Sequence, residues 1–159
     1  MPNTTVGLLG IYLNDHLAGA TGGLELTRRA AASHPALKPF VSELREDREA
    51  LLDMMAALEV PVRRYKVYAA WAAEKAGRLK FNGRVVRRSP LSELLELEML
   101  RLGVEGKIAG WLTLRELAVH DDRLDAGRLD ELIAGARRQS STLEKLRLRT
   151  VAELAKGSG

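Results

Sequence analysis

Four long segments of the chain repeat apolar residues at intervals of three and four, the spacing of one face of an α-helix. They span residues 4–32, 35–59, 89–120 and 128–156. Each segment carries one apolar stripe, so we predict four helices packed around a shared core. The stripe of the first contains Leu13, Leu17 and Leu24, and that of the last contains Leu129, Ile133 and Leu143.

Proline and glycine mark the ends of these segments. The residue before a proline is pushed out of the helical region, so the first helix should end at Ser33-His34-Pro35. Ser89-Pro90 places a capping hydroxyl before a proline at the first helical position. Short joints at 33–35 and 121–127 predict two antiparallel hairpins, joined by a long crossover between residues 60 and 90. The predicted fold is therefore all-α, an antiparallel four-helix bundle with an extra basic helix in the crossover.

Polar residues interrupt the predicted inward stripes. Asp47 or Arg48 interrupts the second helix, and Gln139 interrupts the last. Interior carboxylates are expected to pair with Arg48, Arg101 or neighbouring arginines in a charged core layer that fixes the register of the helices. In the helix that begins after Ser89, the predicted inward row is Leu91, Leu95, Glu98, Leu102, Glu105, Ala109 and Leu112.

The crossover concentrates the positive charge of the chain. Residues 60–90 hold nine basic residues and one acid, a local net charge of +8. A helix is predicted from Pro61 to about Leu79, closed by the Asn82-Gly83 turn. Basic residues among aromatics suit nucleic acid, a phosphorylated ligand or an acidic lipid surface, whereas packing of this helix on the acidic body of the bundle is the alternative. The candidate anion-binding residues are Arg63, Arg64, Trp71, Lys75, Arg78, Lys80 and Arg84.

Composition narrows the class of protein. The chain of 159 residues is long enough for one core, and we expect a single domain over residues 1–156 with a tail at 157–159. Cysteine is absent, which excludes disulfides, thiolate metal sites and cysteine nucleophiles. No apolar stretch approaches the roughly 18 residues of a membrane span, and residues 1–13 lack the charge pattern of a signal peptide. We therefore expect a cytoplasmic protein without a transmembrane segment.

Two helical hairpins joined by a long middle connection resemble the ferritin-like superfamily. Its metal-binding members hold two irons with a Glu from each of two helices and a Glu-x-x-His from each of the other two. This chain has no Glu-x-x-His; Arg stands at that spacing after Glu25, Glu98 and Glu144. Arginine cannot ligate a metal but can neutralise a carboxylate. The resemblance thus implies the bundle without the diiron centre.

A metal site remains the alternative for the polar layer. Its candidate ligands are Glu25, Glu98, Glu105 and His16, an oxygen-rich set that would suit iron or manganese. No cofactor is predicted in the leading interpretation. The three histidines are isolated in sequence, and no nucleophile elbow, phosphate loop or zinc-hydrolase helix occurs, so the sequence does not support an enzyme.

Glycines recur inside two of the predicted helices although each costs up to about 1 kcal/mol relative to alanine. They predict a close approach of backbones, within the bundle or across a homodimer. The glycines are Gly19, Gly22, Gly23, Gly103, Gly106 and Gly110.

The sequence as a whole leads to three hypotheses about function. The first is a non-catalytic, homo-oligomeric structural or interaction protein. The second is a metal-binding oxidoreductase or storage protein, and the third is an anion-binding module at residues 60–90.

Overall fold

A computed structural model of the chain describes residues 3–63 and 89–157, in which every regular element is helical. Within these ranges, no helix combines the length and the apolar composition that crossing a membrane requires. The prediction of an all-α fold is confirmed. The four α-helices are α1 (Asn3–Ala31), α2 (Lys38–Ala57), α3 (Pro90–Leu117) and α4 (Ala126–Gly157), and a 3-10 turn (Pro35–Leu37) precedes α2.

The helices end close to where the sequence predicts. The backbone N–H of His34 donates to the carbonyl of Ala30 at 2.8 Å, which closes the last turn of α1 before the proline. At the start of α3, the Ser89 hydroxyl accepts a hydrogen bond from the backbone N–H of Ser92 at 3.2 Å. This is the predicted cap, and it satisfies one of the backbone donors that a helix leaves free at its first turn.

The chain directly after α2, up to residue 63, departs from the prediction, and the rest of the predicted crossover helix lies outside the described residues. Glu59 adopts a left-handed φ of 56°, and the N–H of Val60 donates to the carbonyl of Met55, which terminates the helix. Residues 61–63 are not helical, although Pro61 was expected to open a helix. The buried Asn14 of α1 holds this stretch, since its Oδ1 accepts from the N–H of Arg63 at 2.7 Å and its Nδ2 donates to the carbonyl of Pro61.

The core collects the predicted stripes of α1, α2 and α4. Helix α1 packs against α2 and α3, and α3 packs against α4 along much of its length. Leu17 and Leu129 are fully enclosed, and burying a leucine contributes about 1.5–3 kcal/mol. The buried members of the three predicted stripes include Leu13, Leu17, Leu24, Thr27, Leu51, Met55, Leu129, Ile133, Leu143 and Leu146.

Helix α3 buries the face opposite to the predicted one. Leu102 is 66% exposed, and Glu105 and Ala109 also face solvent. The prediction that Glu98 and Glu105 are interior carboxylates is therefore wrong. The helix is apolar on two sides, and both rows repeat at intervals of three and four, so periodicity alone gives no choice between faces about 200° apart. The row that faces the core is Leu97, Leu100, Val104, Lys107, Trp111 and Leu114.

Candidate functional site

A lysine lies at the centre of a polar layer inside the bundle. Lys107 sits on the inward row of α3, and its Nζ lies 2.5 Å from both Asp47 Oδ2 on α2 and Gln139 Oε1 on α4. Gln139 Nε2 donates in turn to Glu43 Oε2 at 3.0 Å and to Asp47 Oδ2 at 3.2 Å. The side chains of Lys107 and Asp47 are each only 14% exposed. One ammonium group therefore links three helices.

The electrostatics of this layer are dominated by burial. Loss of solvent lowers the pKa of Lys107, and the attraction of Asp47, its hydrogen bond to Asp47 and the charge of Glu43 oppose that change without cancelling it. An ion pair this enclosed costs free energy to desolvate, so its net contribution to stability is small. Removal of one partner is different, because the remaining charge would be buried without compensation.

Outside the layer, the carboxylates of α3 and α4 form a cluster with arginines. Arg101 Nη1 lies 2.7 Å from Glu144 Oε2, and Arg147 binds Glu144 at 2.8 Å and approaches Glu98 to 3.8 Å. The hydrogen bond from Arg147 lowers the pKa of Glu144, and the charge of Arg101 acts in the same direction. Glu98 thus pairs with an arginine as expected, but it does so on the partly exposed side of α3.

Asp47 and Arg48, the two residues that could interrupt the stripe of α2, make different contacts. Asp47 points to Lys107, whereas the Arg48 Nε donates to Thr21 Oγ1 of α1 at 3.1 Å. Between α3 and α4, the Ser140 hydroxyl donates to Glu105 Oε1. The predicted polar layer therefore exists, but Lys107 rather than Glu98 or Glu105 supplies the α3 side chain at its centre.

An apolar cavity of about 490 Å³ adjoins the layer and lies between α1, α2 and α3. Lys107, Asp47 and His16 are among its few polar lining residues. Leucine, valine and aromatic side chains form most of its wall, including Leu26, Leu44, Leu51, Leu100, Val104 and Trp111.

Glycines form part of the cavity wall on α1 and α3. A Cβ added at Gly19, Gly23, Gly103 or Gly106 would meet nothing within 4 Å, so within the described chain these glycines do not bring backbones into contact. Gly110 differs, because an added Cβ would lie 2.9 Å from the Nδ1 of His16. Of the five described glycines that line the cavity, Gly110 is the one that close packing requires, and the other four leave open space.

Two side chains that carry ring nitrogens, His16 and Trp111, line the cavity. His16 packs edge-on against Tyr12, with ring centroids 4.5 Å apart, and burial lowers the pKa of His16 while Asp15 opposes that effect. Trp111 is 97% buried, being only 3% exposed, and its Nε1 has no hydrogen-bond partner among the described residues. An indole N–H in such a place usually has an acceptor.

The predicted metal-ligand candidates are placed as follows. Glu25 is exposed and pairs with Arg29 at 3.1 Å, Glu98 approaches Arg147, Glu105 accepts from Ser140, and His16 lines the cavity. Residues 3–63 and 89–157 contain no group of three or more histidine, aspartate or glutamate side chains that could hold a metal ion.

Of the predicted anion-binding residues, Arg63 is exposed, and its backbone is held by Asn14. The other candidates lie outside the described residues, so their placement stays a prediction. They are Arg64, Trp71, Lys75, Arg78, Lys80 and Arg84.

Sequence reasoning missed Lys107 and Asn14. Lys107 lies three residues after Val104 and four before Trp111, so the correct phase of the α3 stripe would have placed it in the core. Asn14 stands next to the stripe residue Leu13, and no local pattern indicates its contacts with residues 61 and 63.

Comparison with known proteins adds no assignment, because no protein-family model, curated protein or solved structure matches the chain.

Proposed function

We propose that the chain is a non-catalytic bundle of the ferritin-like type that acts as an interaction protein and assembles as a homodimer. Contacts between helices support the antiparallel arrangement. Between α1 and α3, Tyr12 bonds Thr113, and His16 lies against Gly110. As the residue number rises along α1, the number of its partner on α3 falls.

The partners of α4 follow the same rule. Lys107 of α3 bonds Gln139, and the later Arg115 bonds Asp130 at 2.8 Å. His34, just before α2, lies 2.9 Å from Glu93 in the first turn of α3, which supports a common starting end for these two helices. Two hairpins with this relation between their middle helices match the connectivity that the resemblance to ferritin-like proteins implies.

The polar layer supports a role without diiron chemistry. Lys107 supplies the positive charge that the largely buried Asp47 would otherwise need from another cation such as a metal ion. A lysine ammonium offers only donors and cannot ligate a metal. The metal-binding alternative would need the carboxylates to exchange this cation for a metal, and the anion-binding alternative depends on residues 64–88.

The observation that carries the proposal is the exposed row of α3. Its members recur with a mean spacing of 3.5 residues, the heptad seam through which helices pair. Exposed apolar patches on a folded chain mark sites of association. We assign a second copy as the partner, because under two-fold symmetry one such row packs against itself. The row consists of Leu91, Leu95, Leu102, Ala109 and Leu112, interrupted by Glu98 and Glu105.

Sedimentation equilibrium of the wild type and two glutamate variants tests this assembly. Wild-type protein should be dimeric, and Leu102→Glu should raise the dissociation constant about 10²–10⁴-fold. Burial of a leucine contributes about 1.5–3 kcal/mol, and symmetry loses it twice. Leu148→Glu is the matched control, because Leu148 is an exposed leucine of α4 and not a member of the row, and its replacement should leave the dimer intact.

Two results would contradict the assignment. A monomeric wild-type protein would mean that another part of the chain covers the row or that it faces solvent. A Leu148→Glu variant that dissociates as readily as Leu102→Glu would place the interface elsewhere.

A further inference from the structure

We infer that the cavity between α1, α2 and α3 binds a small, largely apolar, uncharged molecule that carries a hydrogen-bond acceptor. This activity goes beyond assembly of the bundle. The volume of about 490 Å³ lies within the range of ligand pockets, roughly 300–1,000 Å³. Mostly apolar walls with a few polar groups are also the usual composition of such pockets, and the space between helices of a bundle is a usual place for them.

The glycines give the cavity a feature that packing does not explain. Gly19, Gly23, Gly103 and Gly106 all lie in helix interiors, where alanine is the more favourable residue. A methyl group would clash with nothing at any of the four positions. Three of them, Gly19, Gly103 and Gly106, are exposed and also line the cavity. Their common effect is to leave the space between α1 and α3 open to solvent, as a ligand would require.

The polar groups around the cavity define the chemistry of the ligand. The Lys107 ammonium directs hydrogen bonds to Asp47 and Gln139, and its third N–H can donate further. His16 adds an imidazole, and the indole N–H of Trp111 has no acceptor in the part of the chain that the structure describes. Donors therefore exceed acceptors in need of a partner, so a carbonyl or hydroxyl oxygen fits better than a donor group.

Charge distinguishes a neutral ligand from an anionic one. Among the described lining residues, the charged groups are two carboxylates, Asp15 and Asp47, and the ammonium of Lys107. Lys107 is already paired with Asp47, so its charge is largely neutralised within the layer. An anionic ligand would add a third negative charge beside Asp15 and Asp47 in an apolar environment, where an unpaired charge is costly. An aliphatic ketone should therefore bind better than the carboxylate of similar length.

Fluorescence titration with the neutral probe N-phenyl-1-naphthylamine tests the site in the full chain. Wild-type protein should bind the probe with one site per chain. The double variant Gly23→Leu/Gly103→Leu, which fills the cavity, should weaken binding at least 10-fold. Gly7→Leu is the matched control, since Gly7 lies in open space on α1 but does not line the cavity, and it should bind as the wild type does.

A milder series guards against loss of folding in the double leucine variant. Gly103→Ala and Gly106→Ala should raise the melting temperature, because alanine favours the helix. Together they should weaken binding of the probe several-fold. Increased stability with weaker binding is a result that damage to the fold cannot produce. Equal binding by the wild type, the double leucine variant and the alanine variants would overturn the site, because the probe would then be bound elsewhere on the surface.

Displacement of the probe tests the class of ligand. The ketone 2-undecanone should displace it at a concentration at least 10-fold below that of decanoate. Stronger displacement by decanoate would overturn the choice of an uncharged ligand. Leu102→Glu, which tests the dimer, should leave probe binding unchanged, so failure of the site and failure of the assembly can be distinguished.

Discussion

Replacing Lys107 with methionine is expected to lower the free energy of unfolding by about 3–5 kcal/mol. Methionine fills most of the same space but removes the ammonium that binds Asp47 and Gln139. Asp47, whose side chain is 14% exposed, would then be a buried carboxylate left with the Gln139 amide as a donor. In a domain of this size, where each kcal/mol corresponds to roughly 2–4 °C, the melting temperature should fall by about 6–20 °C.

Lys145→Met is the matched control, because Lys145 is exposed on α4. Its replacement should change the free energy of unfolding by less than about 1 kcal/mol in urea denaturation. The double variant Asp47→Leu/Lys107→Met should recover part of the loss, since it removes both charges together. Equal effects of Lys107→Met and Lys145→Met would show that the layer is solvated.

Leu114→Ala should lower the free energy of unfolding by about 2–5 kcal/mol, whereas Leu112→Ala should cost less than about 1. The two leucines lie two residues apart on α3, but Leu114 is 1% exposed and Leu112 is 44% exposed. Truncation of the buried one leaves a cavity among the surrounding side chains. Both changes are best made in a Leu102→Glu background, so that association does not contribute to the measured stability.

This pair decides which face of α3 is the core face. Under the sequence interpretation, Leu112 is interior and should be the costly position. A larger loss at Leu112 than at Leu114 in urea denaturation would restore that interpretation and remove the exposed row on which the proposed dimer depends.

Sequence patterns predict the buried face correctly in three of the four described bundle helices. In α1, α2 and α4 the predicted stripe is the one that the structure buries, and Leu17, Met55 and Leu129 of these stripes lie in the core. Helix α3 has two apolar rows, because it serves the core with one and presents the other to solvent. In such a helix the spacing of apolar residues does not reveal which row faces inward, because the arrangement of the neighbouring helices selects that face.

The polar layer was predictable only in part. Asp47 and Gln139 interrupt apolar stripes, which is visible in the sequence, but a lysine inside a helix is usually solvent-exposed, and so Lys107 was overlooked. Lys107 is separated from Asp47 by 60 positions in the sequence and from Gln139 by 32, and no local spacing indicates such contacts. The cavity depends on the absence of side chains at glycines on different helices, so it becomes visible only when the helices are placed together.

The metal content of protein grown with excess iron and manganese tests most directly whether a lysine takes the place of a metal ion in this bundle. Inductively coupled plasma mass spectrometry of the purified wild type should find far less than one iron or manganese ion per chain, because Lys107 already neutralises Asp47 and no Glu-x-x-His supplies imidazole ligands. Two metal ions per chain, lost when Asp47 or Glu98 is replaced by alanine, would contradict the lysine-centred layer and establish a carboxylate metal site in its place.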